Sequence, residues 1–305
     1  MKRISVFIPT YNAGKLAEKF FSNLYNEIKK NSNIEVIIVD SGSKDCTIEN
    51  AKHYGFIIYN ICSSEFNHGG TRNKILELNN NSDIFIFLTQ DALLQQGAIS
   101  EIVRCFDNNK IAAVYGRQIP HDDANPIAQH ARLFNYKAQG YISNIDTVSK
   151  MGIKTVFMSN SFAAYRASTF KELGGFPSHT ILCEDMFFAA KAVLAGYSIQ
   201  YCSSAIVKHS HNYTACEEFR RYFDIGVFHA SESWIKENFG GAGNEGKKFI
   251  ISELNYLSRN NPLFIFQALL NNMAKLLGYK LGLNFKKLPK FCSKHFCMHK
   301  NYFKK

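Results

Sequence analysis

Short apolar runs alternate with helical patterns through the first part of the chain. The runs Ile4–Pro9, Ile34–Asp40 and Asp83–Leu88 are almost continuously apolar, which is typical of parallel strands that are covered on both faces. Residues 16–30 instead place Leu, Phe and Ile at helical spacing. This alternation up to about residue 116 predicts an α/β fold with a mostly parallel, doubly wound sheet, whose ligands bind beyond the carboxyl ends of the strands.

The pattern in the middle of the chain is weaker. Residues 117–153 are polar and irregular, so we expect a loop on the acceptor side. Residues 156–165 and 199–207 resemble strands, and residues 185–195 have a helical pattern that ends at Gly196.

From Ala215 onwards the pattern predicts mainly helices. We therefore expect one domain over residues 1–214, with the halves 1–116 and 117–214. Residues 215–305 are expected to form a helical, basic C-terminal extension.

Charge adds information about partners. The chain of 305 residues has a formal net charge of +11, which indicates an anionic partner. Much of the excess is terminal, because the chain from Asn284 onwards contains seven lysines and no Asp or Glu. A terminal excess argues against a nucleic-acid-binding stripe across the body of the protein.

The N-terminus and the cysteines indicate the compartment. The chain enters a strand at once, and Pro9 interrupts the apolar run too soon for the core of a signal peptide. The eight cysteines are scattered and include no CxxC pair, as expected for reduced thiols. Both features predict a cytoplasmic protein.

Polar residues follow three of the predicted strands. The three groups are Thr10-Tyr11-Asn12, Asp40-Ser41-Gly42-Ser43 and Thr89-Gln90-Asp91. Each group alone fits a turn or a helix cap, but strand ends at one edge of a parallel sheet converge. A divalent cation on hard oxygen ligands neutralises the charge of a sugar diphosphate, so the place of Asp91 after a buried strand predicts a Mg²⁺ or Mn²⁺ site.

A glycine pair lies between these groups. Gly69 and Gly70 allow a close approach of backbone to a ligand, just before a helix whose N-terminus favours anions. Arg72 adds a fixed fork of donors. The alternative is an ordinary glycine turn with a solvated arginine.

An acidic pair begins an apolar helix. Glu184 and Asp185 precede the run from Met186 to Gly196, and the helix dipole keeps such carboxylates ionised. An ionised carboxylate can take the proton of an attacking hydroxyl. Plain capping of the helix is the competing interpretation.

Two histidines follow the last predicted strand. His209 and His211 lie at alternate positions, and imidazole is a common metal ligand. Either side chain could complete the Asp91 site. We assign His209 to the metal, and we group His211 with Glu184 as acceptor-side or second-acid residues.

These residues together resemble family 2 glycosyltransferases of the GT-A fold, and within them the bacterial dTDP-rhamnosyltransferases that build O-antigen and capsule chains. The general markers are Ile8–Asn12, Val39–Ser43, the Arg72-Asn73 pair and the Glu184-Asp185 pair. The narrower markers are Phe66–Asn73, Phe87–Ala92, Lys208–Thr214, residues 275–282 and a late Met298-His299.

The resemblance implies roles for individual residues. It implies that Asp91 binds a metal and that Asp185 is the base. The family's Asp-x-Asp has Thr89 at its first position here, a departure that the narrower group shares. The nucleotide-binding residues that we infer from the motifs and the resemblance are Pro9, Thr10, Tyr11, Asp40, Gly69, Gly70, Arg72 and Gln90.

The function implied is that of an inverting glycosyltransferase, because one base and no carboxylate nucleophile give inversion at the anomeric carbon. The resemblance implies transfer of L-rhamnose from dTDP-β-L-rhamnose to a hydroxyl of a glycan or lipid-linked saccharide, in the synthesis of cell-surface polysaccharide. Two alternatives stay open. One is a family 2 transferase with a UDP-hexose donor, and the other is a catalytically silent subunit that binds glycan or membrane.

The C-terminal region suggests a surface on which the enzyme acts. Residues 263–283 are rich in Leu, Phe and Ile, but Gln267, Asn271 and Lys275 interrupt them, so they do not form a spanning helix. A basic amphipathic helix on the anionic inner face of the cell membrane fits a lipid-linked acceptor. The alternative is a core-packed helix followed by a solvated lysine tail.

Overall fold

The computed structural model describes residues 2–79, 81–241 and 243–304. Its centre is a sheet of nine strands. In chain order these are β1 (Ile4–Thr10), β2 (Ile34–Asp40), β3 (Ile57–Asn60), β4 (Ile84–Leu88), β5 (Leu93–Leu94), β6 (Ile111–Ile119), β7 (Tyr141–Ser143), β8 (Phe162–Arg166) and β9 (Ser198–Lys208).

The strand order is β3-β2-β1-β4-β8-β6-β9-β5, and β7 also pairs with β9. Strands β1 to β4 pair in parallel, as do β6 and β9. Strand β8 lies antiparallel between β4 and β6, and β5 and β7 are antiparallel to β9. Most of the strands therefore point the same way, which confirms the expected mostly parallel sheet.

Helices surround this sheet. They are α1 (Leu16–Ile28), α2 (Thr47–His53), α3 (His68–Asn73), α4 (Ile75–Leu78), α5 (Ala98–Arg104), α6 (Pro126–Asn135), α7 (Val148–Met151), α8 (Ala167–Glu172), α9 (Glu184–Leu194), α10 (Ala215–Ser231), α11 (Ser233–Phe239), α12 (Gly243–Asn260), α13 (Ile265–Leu283) and α14 (Lys290–Phe296).

Both faces of the sheet are covered, which is why the strands read as continuous apolar runs. Successive residues of a strand point to opposite faces. Accordingly, Phe7 and Phe87 belong to one buried cluster, whereas Val6 and Ile86 belong to another. The first cluster also includes Phe223 and Val227 of α10, so the C-terminal helices share a core with the sheet.

The expectation of an irregular loop over residues 117–153 is wrong. Strand β6 continues to Ile119, and α6 and β7 follow. The start of α6 is an ordinary one, since the side chain of Asn125 accepts from the N–H of Ala128 and Pro126 occupies the first turn. The expected strand over residues 156–165 is also shorter, because only β8 (Phe162–Arg166) pairs.

Helices α10 and α13 are in close contact through glycines. A Cβ atom on Gly278 would lie 2.2 Å from the carbonyl oxygen of Phe219, and one on Gly282 would lie 2.1 Å from that of Phe223. On the other helix, a Cβ on Gly226 would lie 2.4 Å from the carbonyl oxygen of Tyr279. The two backbones touch, and no larger side chain fits between them.

Helix α13 reverses the usual distribution of polar and apolar residues. Asn271, Asn272 and Lys275 are buried on the side that faces the protein. Lys275 lies 3.3 Å from the carboxylate of Glu218, and Asn272 donates to Glu253 at 2.6 Å. Within the described ranges, no helix is both long enough and apolar enough to cross a membrane.

Candidate active site

The ends of β1, β2 and β4 meet at one edge of the sheet, as predicted. Thr10 donates to a carboxylate oxygen of Asp40 at 2.8 Å. Tyr11 and Gln90 are linked reciprocally, since the N–H of Tyr11 donates to Gln90 Oε1 at 2.9 Å and Gln90 Nε2 donates to the Tyr11 carbonyl at 3.0 Å. Tyr11 is 53% exposed, so its ring is available to a ligand.

Asp40 is less available than expected. Its side chain is 1% exposed, and besides Thr10 it accepts from the backbone N–H groups of Gly42 and Ser43 and from the Ser43 hydroxyl. The carboxylate therefore holds the turn after β2. Direct contact of Asp40 with a nucleotide base requires one of these bonds to be exchanged.

The glycine pair has a structural role that the sequence did not indicate. A Cβ atom on Gly69 would lie 2.0 Å from the carbonyl oxygen of Pro177, so the chain's own backbone occupies the space that we expected a ligand to fill. The N–H of Gly70 donates to the side chain of Asn67 at 2.7 Å, which caps α3. Pro9 lies within β1 and pairs with Val39.

Asp91, His209 and His211 form one cluster. Their potential ligand atoms lie within 4.8 Å of one another. The Nε2 atoms of His209 and His211 are 3.5 and 3.6 Å from the same oxygen of Asp91. The structure therefore places His211, which the sequence analysis grouped with the acceptor-side or second-acid residues, next to the predicted metal ligands.

Gln118 fixes the orientation of His209. Its Oε1 atom accepts from Arg132 at 2.6 Å and lies 2.9 Å from Nδ1 of His209. Because arginine can only donate, this atom is the amide oxygen, and His209 donates to it through Nδ1–H. In the neutral ring, Nε2 then carries a lone pair that faces Asp91.

A lone pair and a carboxylate oxygen repel each other unless a cation lies between them. Burial lowers the pKa of His209, and burial together with the charge of His209 lowers the pKa of His211 to about 4. Burial would raise the pKa of Asp91, but when His209 is protonated its Nε2–H bonds to Asp91, and this bond and the positive charge hold the pKa of Asp91 well below its usual range. One carboxylate and two neutral imidazoles fit a divalent metal ion.

Asp185 lies at the second centre, at the start of α9. Cys183, the residue before this helix, has a φ of 58°, a left-handed conformation that costs about 1 to 2 kcal/mol outside glycine. This conformation turns the chain into the helix. The carboxylate of Asp185 accepts from the N–H of Asn160 at 3.0 Å and from the N–H of Met186 at 2.8 Å.

The neighbours of Asp185 set its protonation. Burial and the nearby charge of Glu184 raise the pKa of Asp185 to about 7. Glu184 lies 3.2 Å from Arg72 and accepts from the side chain of Asn160 at 2.8 Å. Burial opposes its ionisation, but Arg72 and His68 keep the pKa of Glu184 below its ordinary value.

Arg72 is therefore not a solvated side chain. It is 4% exposed, pairs with Glu184, and donates to the carbonyl of His68 at 3.0 Å. The structure places it beside the acidic pair, whereas the sequence analysis placed it at the nucleotide base.

The consecutive residues Ser159 and Asn160 connect the Asp91 centre with the Asp185 centre. Gln118 donates through Nε2 to the Ser159 hydroxyl at 2.9 Å, and the next residue, Asn160, contacts both Glu184 and Asp185. An open cleft of about 480 Å³ lies beside Asp91 and is lined in part by Lys19, His121, Asp122 and Tyr213. A concave site beside Asp91 with charged side chains in its lining is suited to binding a polar group.

Residues 5–174 match the protein family described as glycosyl transferase family 2. The chain belongs to this family. The resemblance deduced from the motifs is thereby confirmed.

Relatives of this family 2 glycosyltransferase match almost its whole length. The O-antigen chain rhamnosyltransferase RfbN of Salmonella typhimurium is 52% identical over 98% of this chain and 96% of its own. The O-antigen chain rhamnosyltransferase WbaN of Salmonella anatum is 50% identical over 99% of this chain and 96% of its own.

Solved structures share the fold. The mannosyltransferase PcManGT of Pyrobaculum calidifontis, in complex with GDP-Man and Mn²⁺, has a TM-score of 0.59 at 18% identity and covers 99% of this chain and 85% of its own. Residues 1–349 of Staphylococcus aureus TarS give a TM-score of 0.55 at 15% identity over 97% and 83% of the two chains. The expected GT-A architecture with a helical C-terminal region is confirmed.

Several residues of the site were missed in the sequence of this transferase. Gln118, Arg132 and Asn160 hold the functional side chains, and His121 contacts the carbonyl of Asp91 at 3.0 Å. Only the Asn125-Pro126 start of α6 offered a local signal, which would have placed Arg132 on a helix. The other three contacts join positions far apart in the chain and leave no local pattern.

Proposed function

We propose that this glycosyltransferase transfers L-rhamnose from dTDP-β-L-rhamnose, with inversion, to a hydroxyl of a glycan or lipid-linked saccharide in the synthesis of cell-surface polysaccharide. The observation that carries the donor assignment is 52% and 50% identity, over nearly the full chain, to two O-antigen chain rhamnosyltransferases. The arrangement around Asp91 and Asp185 supports a catalytic protein over a silent binding subunit.

Asp185 is the proposed catalytic base. The attacking hydroxyl transfers its proton to the Asp185 carboxylate as its oxygen bonds to the anomeric carbon, and the bond to the dTDP oxygen breaks on the opposite side. The pKa of Asp185 is about 7. Near neutral pH a substantial fraction of this carboxyl group is therefore ionised, and the carboxylate is basic enough to accept a proton. A single displacement of this kind converts a β-linked donor into an α-linked product.

Asp91, His209 and His211 are the proposed metal ligands, and His121 lies next to them. A divalent cation bound there supplies positive charge for the departing diphosphate. Two imidazoles are poor ligands for Mg²⁺, which prefers oxygen and retains water. We therefore propose Mn²⁺ over Mg²⁺ as the working ion.

The nucleotide is proposed to lie along the edge formed by β1, β2 and β4. The exposed ring of Tyr11, whose backbone is bonded to Gln90, provides a surface for the base. Pro9, Thr10 and Asp40 form the floor below it. Gly69, Gly70 and Arg72 are proposed to shape the same side of the site.

A donor panel tests this proposal. The full chain is incubated with Mn²⁺ and, separately, with dTDP-rhamnose, UDP-glucose, UDP-galactose or UDP-N-acetylglucosamine, and release of the nucleoside diphosphate is measured. We expect release from dTDP-rhamnose. Release from a UDP-hexose alone would establish the alternative donor, and release from none with a lipid-linked acceptor present would favour a binding subunit.

The enzyme is further proposed to work at the anionic, cytoplasmic face of a membrane, through α13 and the segment after it. The exposed side of α13 and the turn before it is apolar and nearly continuous; Leu263 is 93% exposed and Phe266 is 71% exposed. We call this surface the apolar face of α13. Its residues are Leu263, Phe266, Leu269, Leu270, Met273, Leu276 and Leu277.

Charge supports an anionic membrane as the occupant of this face. The exposed Lys280 continues it, and Lys286, Lys287 and Lys290 follow, while no Asp or Glu occurs after Glu253. Each such lysine contributes about 1 kcal/mol near an anionic bilayer, and apolar side chains enter the interface beside them. Two copies of the chain docked by this face would bring their lysines together, which opposes self-association.

Liposome flotation tests the surface without removing a helix that packs on the core. We expect Phe266→Glu with Met273→Glu to abolish flotation with vesicles that contain phosphatidylglycerol. The matched control, Glu237→Gln with Lys236→Gln on exposed positions of α11, should float like the wild type. Unchanged flotation of the α13 variant would show that this face does not bind the membrane. A wild-type dimer in sedimentation that the variant dissociates would show that the face binds a second copy of the chain instead.

We retain residues 1–214 as the proposed catalytic domain and residues 215–305 as the proposed membrane-facing extension. Because α10 shares the buried cluster of the sheet, this division is one of function within a common core.

A further inference from the structure

The last residues of the described chain return to the active site. Cys297 is fully buried in the main hydrophobic cluster, and Tyr302 and Phe303 pack against the same cluster. Asn301 donates to the carbonyl of Ser63 at 3.3 Å. We call residues 297–303 the C-terminal strap, because they connect the helical extension with the loop before α3.

The strap is anchored at Asp224 of α10. One carboxylate oxygen of this fully buried residue accepts from the backbone N–H groups of Met298 and His299, at 3.1 and 3.0 Å. The other oxygen has no hydrogen-bond partner within the described ranges. An acidic side chain in an apolar setting is costly unless it is bonded, so these two N–H groups fix Asp224 and the strap to each other.

From this anchor the strap places His299 against His68. Nδ1 of His299 is 3.3 Å from Nε2 of His68, and the rings meet edge to face at a centroid separation of 4.4 Å. His68 begins α3, and its carbonyl accepts from Arg72 at 3.0 Å. Arg72 pairs with Glu184, and Glu184 shares Asn160 with Asp185.

We propose that His299 is a positioning residue for glycosyl transfer, which holds His68 and thereby the Arg72–Glu184 pair next to Asp185. This inference rests on the proposed role of Asp185 as the base. The contacts of Asp91, His209 and His211 are with other residues. We therefore expect His299 to affect the proposed proton acceptor, Asp185, and not the proposed metal site.

Loss of the imidazole opens a space beside His68 that water can enter. Water weakens the burial that raises the pKa of Asp185, and the pair of Arg72 and Glu184 loses its support. A small displacement of a catalytic group costs about 10- to 100-fold in rate. The acidic limb of the pH profile should move to lower pH, because a better-solvated carboxylate ionises more readily.

The test measures kcat, the donor KM and the pH dependence of kcat/KM for full-length variants. For His299→Ala we expect kcat to fall about 10- to 100-fold, with the donor KM little changed and the acidic limb at lower pH. His299→Asn, which can offer a hydrogen-bonding atom at the position of Nδ1, should recover most of the rate. The exposed His295 on α14 gives a matched control, and His295→Ala should behave like the wild type.

A second pair of variants covers the case in which His299→Ala does not fold. Asp224→Asn keeps an oxygen for the two N–H groups and should keep most of the activity. Asp224→Ala removes the anchor and should reproduce the slow, shifted reaction. Equal rates and equal pH profiles for these two variants would overturn the role of the strap.

Measurement of Asp185→Asn in parallel distinguishes a wrong assignment of the base from a wrong positioning role of His299. If Asp185→Asn stays active, the assignment of the base is wrong. If Asp185→Asn is inactive while His299→Ala retains the wild-type rate and pH profile, the base assignment stands and the positioning role is wrong.

Discussion

Asp91 and Asp185 are the same residue type in two neighbouring regions, and the structure moves their pKa values in opposite directions. Burial would raise the pKa of Asp91, but the protonated forms of the two imidazoles that it faces hold it well below the usual range. Asp185 faces Glu184 in a buried recess, which raises its pKa to about 7. A carboxylate that stays ionised suits a metal ligand, and one that exchanges protons near neutrality suits a base.

The comparison also shows how closely two different environments can be placed. Ser159 is bonded to Gln118, which contacts His209 of the proposed metal site, and the adjacent Asn160 contacts Asp185, the proposed base. Asp91 and Asp185 have different hydrogen-bonding and charged partners. These partners, and not the separation of the two residues in the sequence, give the two carboxylates different pKa values.

The strongest test removes the proton acceptor. Asp185→Asn is nearly isosteric, but its amide cannot accept the hydroxyl proton. We expect kcat to fall about 10³- to 10⁴-fold, within the range of general-base catalysis, in a donor-release assay. Mn²⁺ binding, followed by calorimetry or by Mn²⁺ electron paramagnetic resonance, should be unchanged; a parallel loss of metal affinity would mean that the two centres are not distinct.

The second test removes the charged ligand of the other centre. Asp91→Asn should lower kcat/KM about 100-fold, since a bound cation contributes several kcal/mol to charge stabilisation, and it should weaken Mn²⁺ binding. The control is Asp122→Asn, which changes an exposed carboxylate of the same cleft that pairs with Lys208. Full activity of Asp91→Asn at low Mn²⁺ would contradict the metal assignment.

The third test changes only the support of a metal ligand. Gln118→Ala frees Nδ1 of His209, so the ring can place its proton on the nitrogen that faces Asp91. We expect Mn²⁺ affinity to fall about tenfold, as for other partners of metal-bound histidines. Gln118→Glu keeps an oxygen for His209 and Arg132 and should bind Mn²⁺ nearly as well as the wild type; equal affinities for the Ala and Glu variants would count against this role.

The smallest expected effect is a shift in pH dependence. The proposed base, Asp185, acts in its ionised form, so we expect kcat/KM to decline as pH falls below about 7, the pKa of this carboxyl group. Glu184→Gln removes the neighbouring negative charge and leaves Arg72 unneutralised, and both changes favour the ionised form. The acidic limb should therefore move to lower pH, and a shift to higher pH would show that Glu184 does not act on Asp185 in this way.

Much of the sheet was predictable because its strands are buried on both faces. The runs that became β1, β2 and β4 are apolar without interruption, and the polar residues after them necessarily lie at one edge. Asp91 and Asp185 were found for this reason, since each lies directly at the end of a strand or the start of a helix with a clear pattern.

The parts that were missed depend on contacts between distant positions. Gln118 lies at the end of β6, and its role becomes visible only when His209, 91 positions later, lies 2.9 Å away. Arg72 had a plausible phosphate-binding motif around it, yet burial against Glu184 determines where it points. Helix α13 was predicted as a helix, but its sequence could not indicate that Asn271 and Lys275 face the protein and the leucines face outward.

The glycine contacts between α10 and α13 have a mechanical consequence. At Gly226, Gly278 and Gly282 the backbones of the two helices are in direct contact. No side chains lie between the helices at these positions to rearrange when one helix is displaced, so the two helices form one rigid unit. Helix α13 of this unit carries the apolar face, and helix α10 carries Asp224. The proposed membrane-binding surface and the anchor of the strap therefore lie on one pair of tightly packed helices.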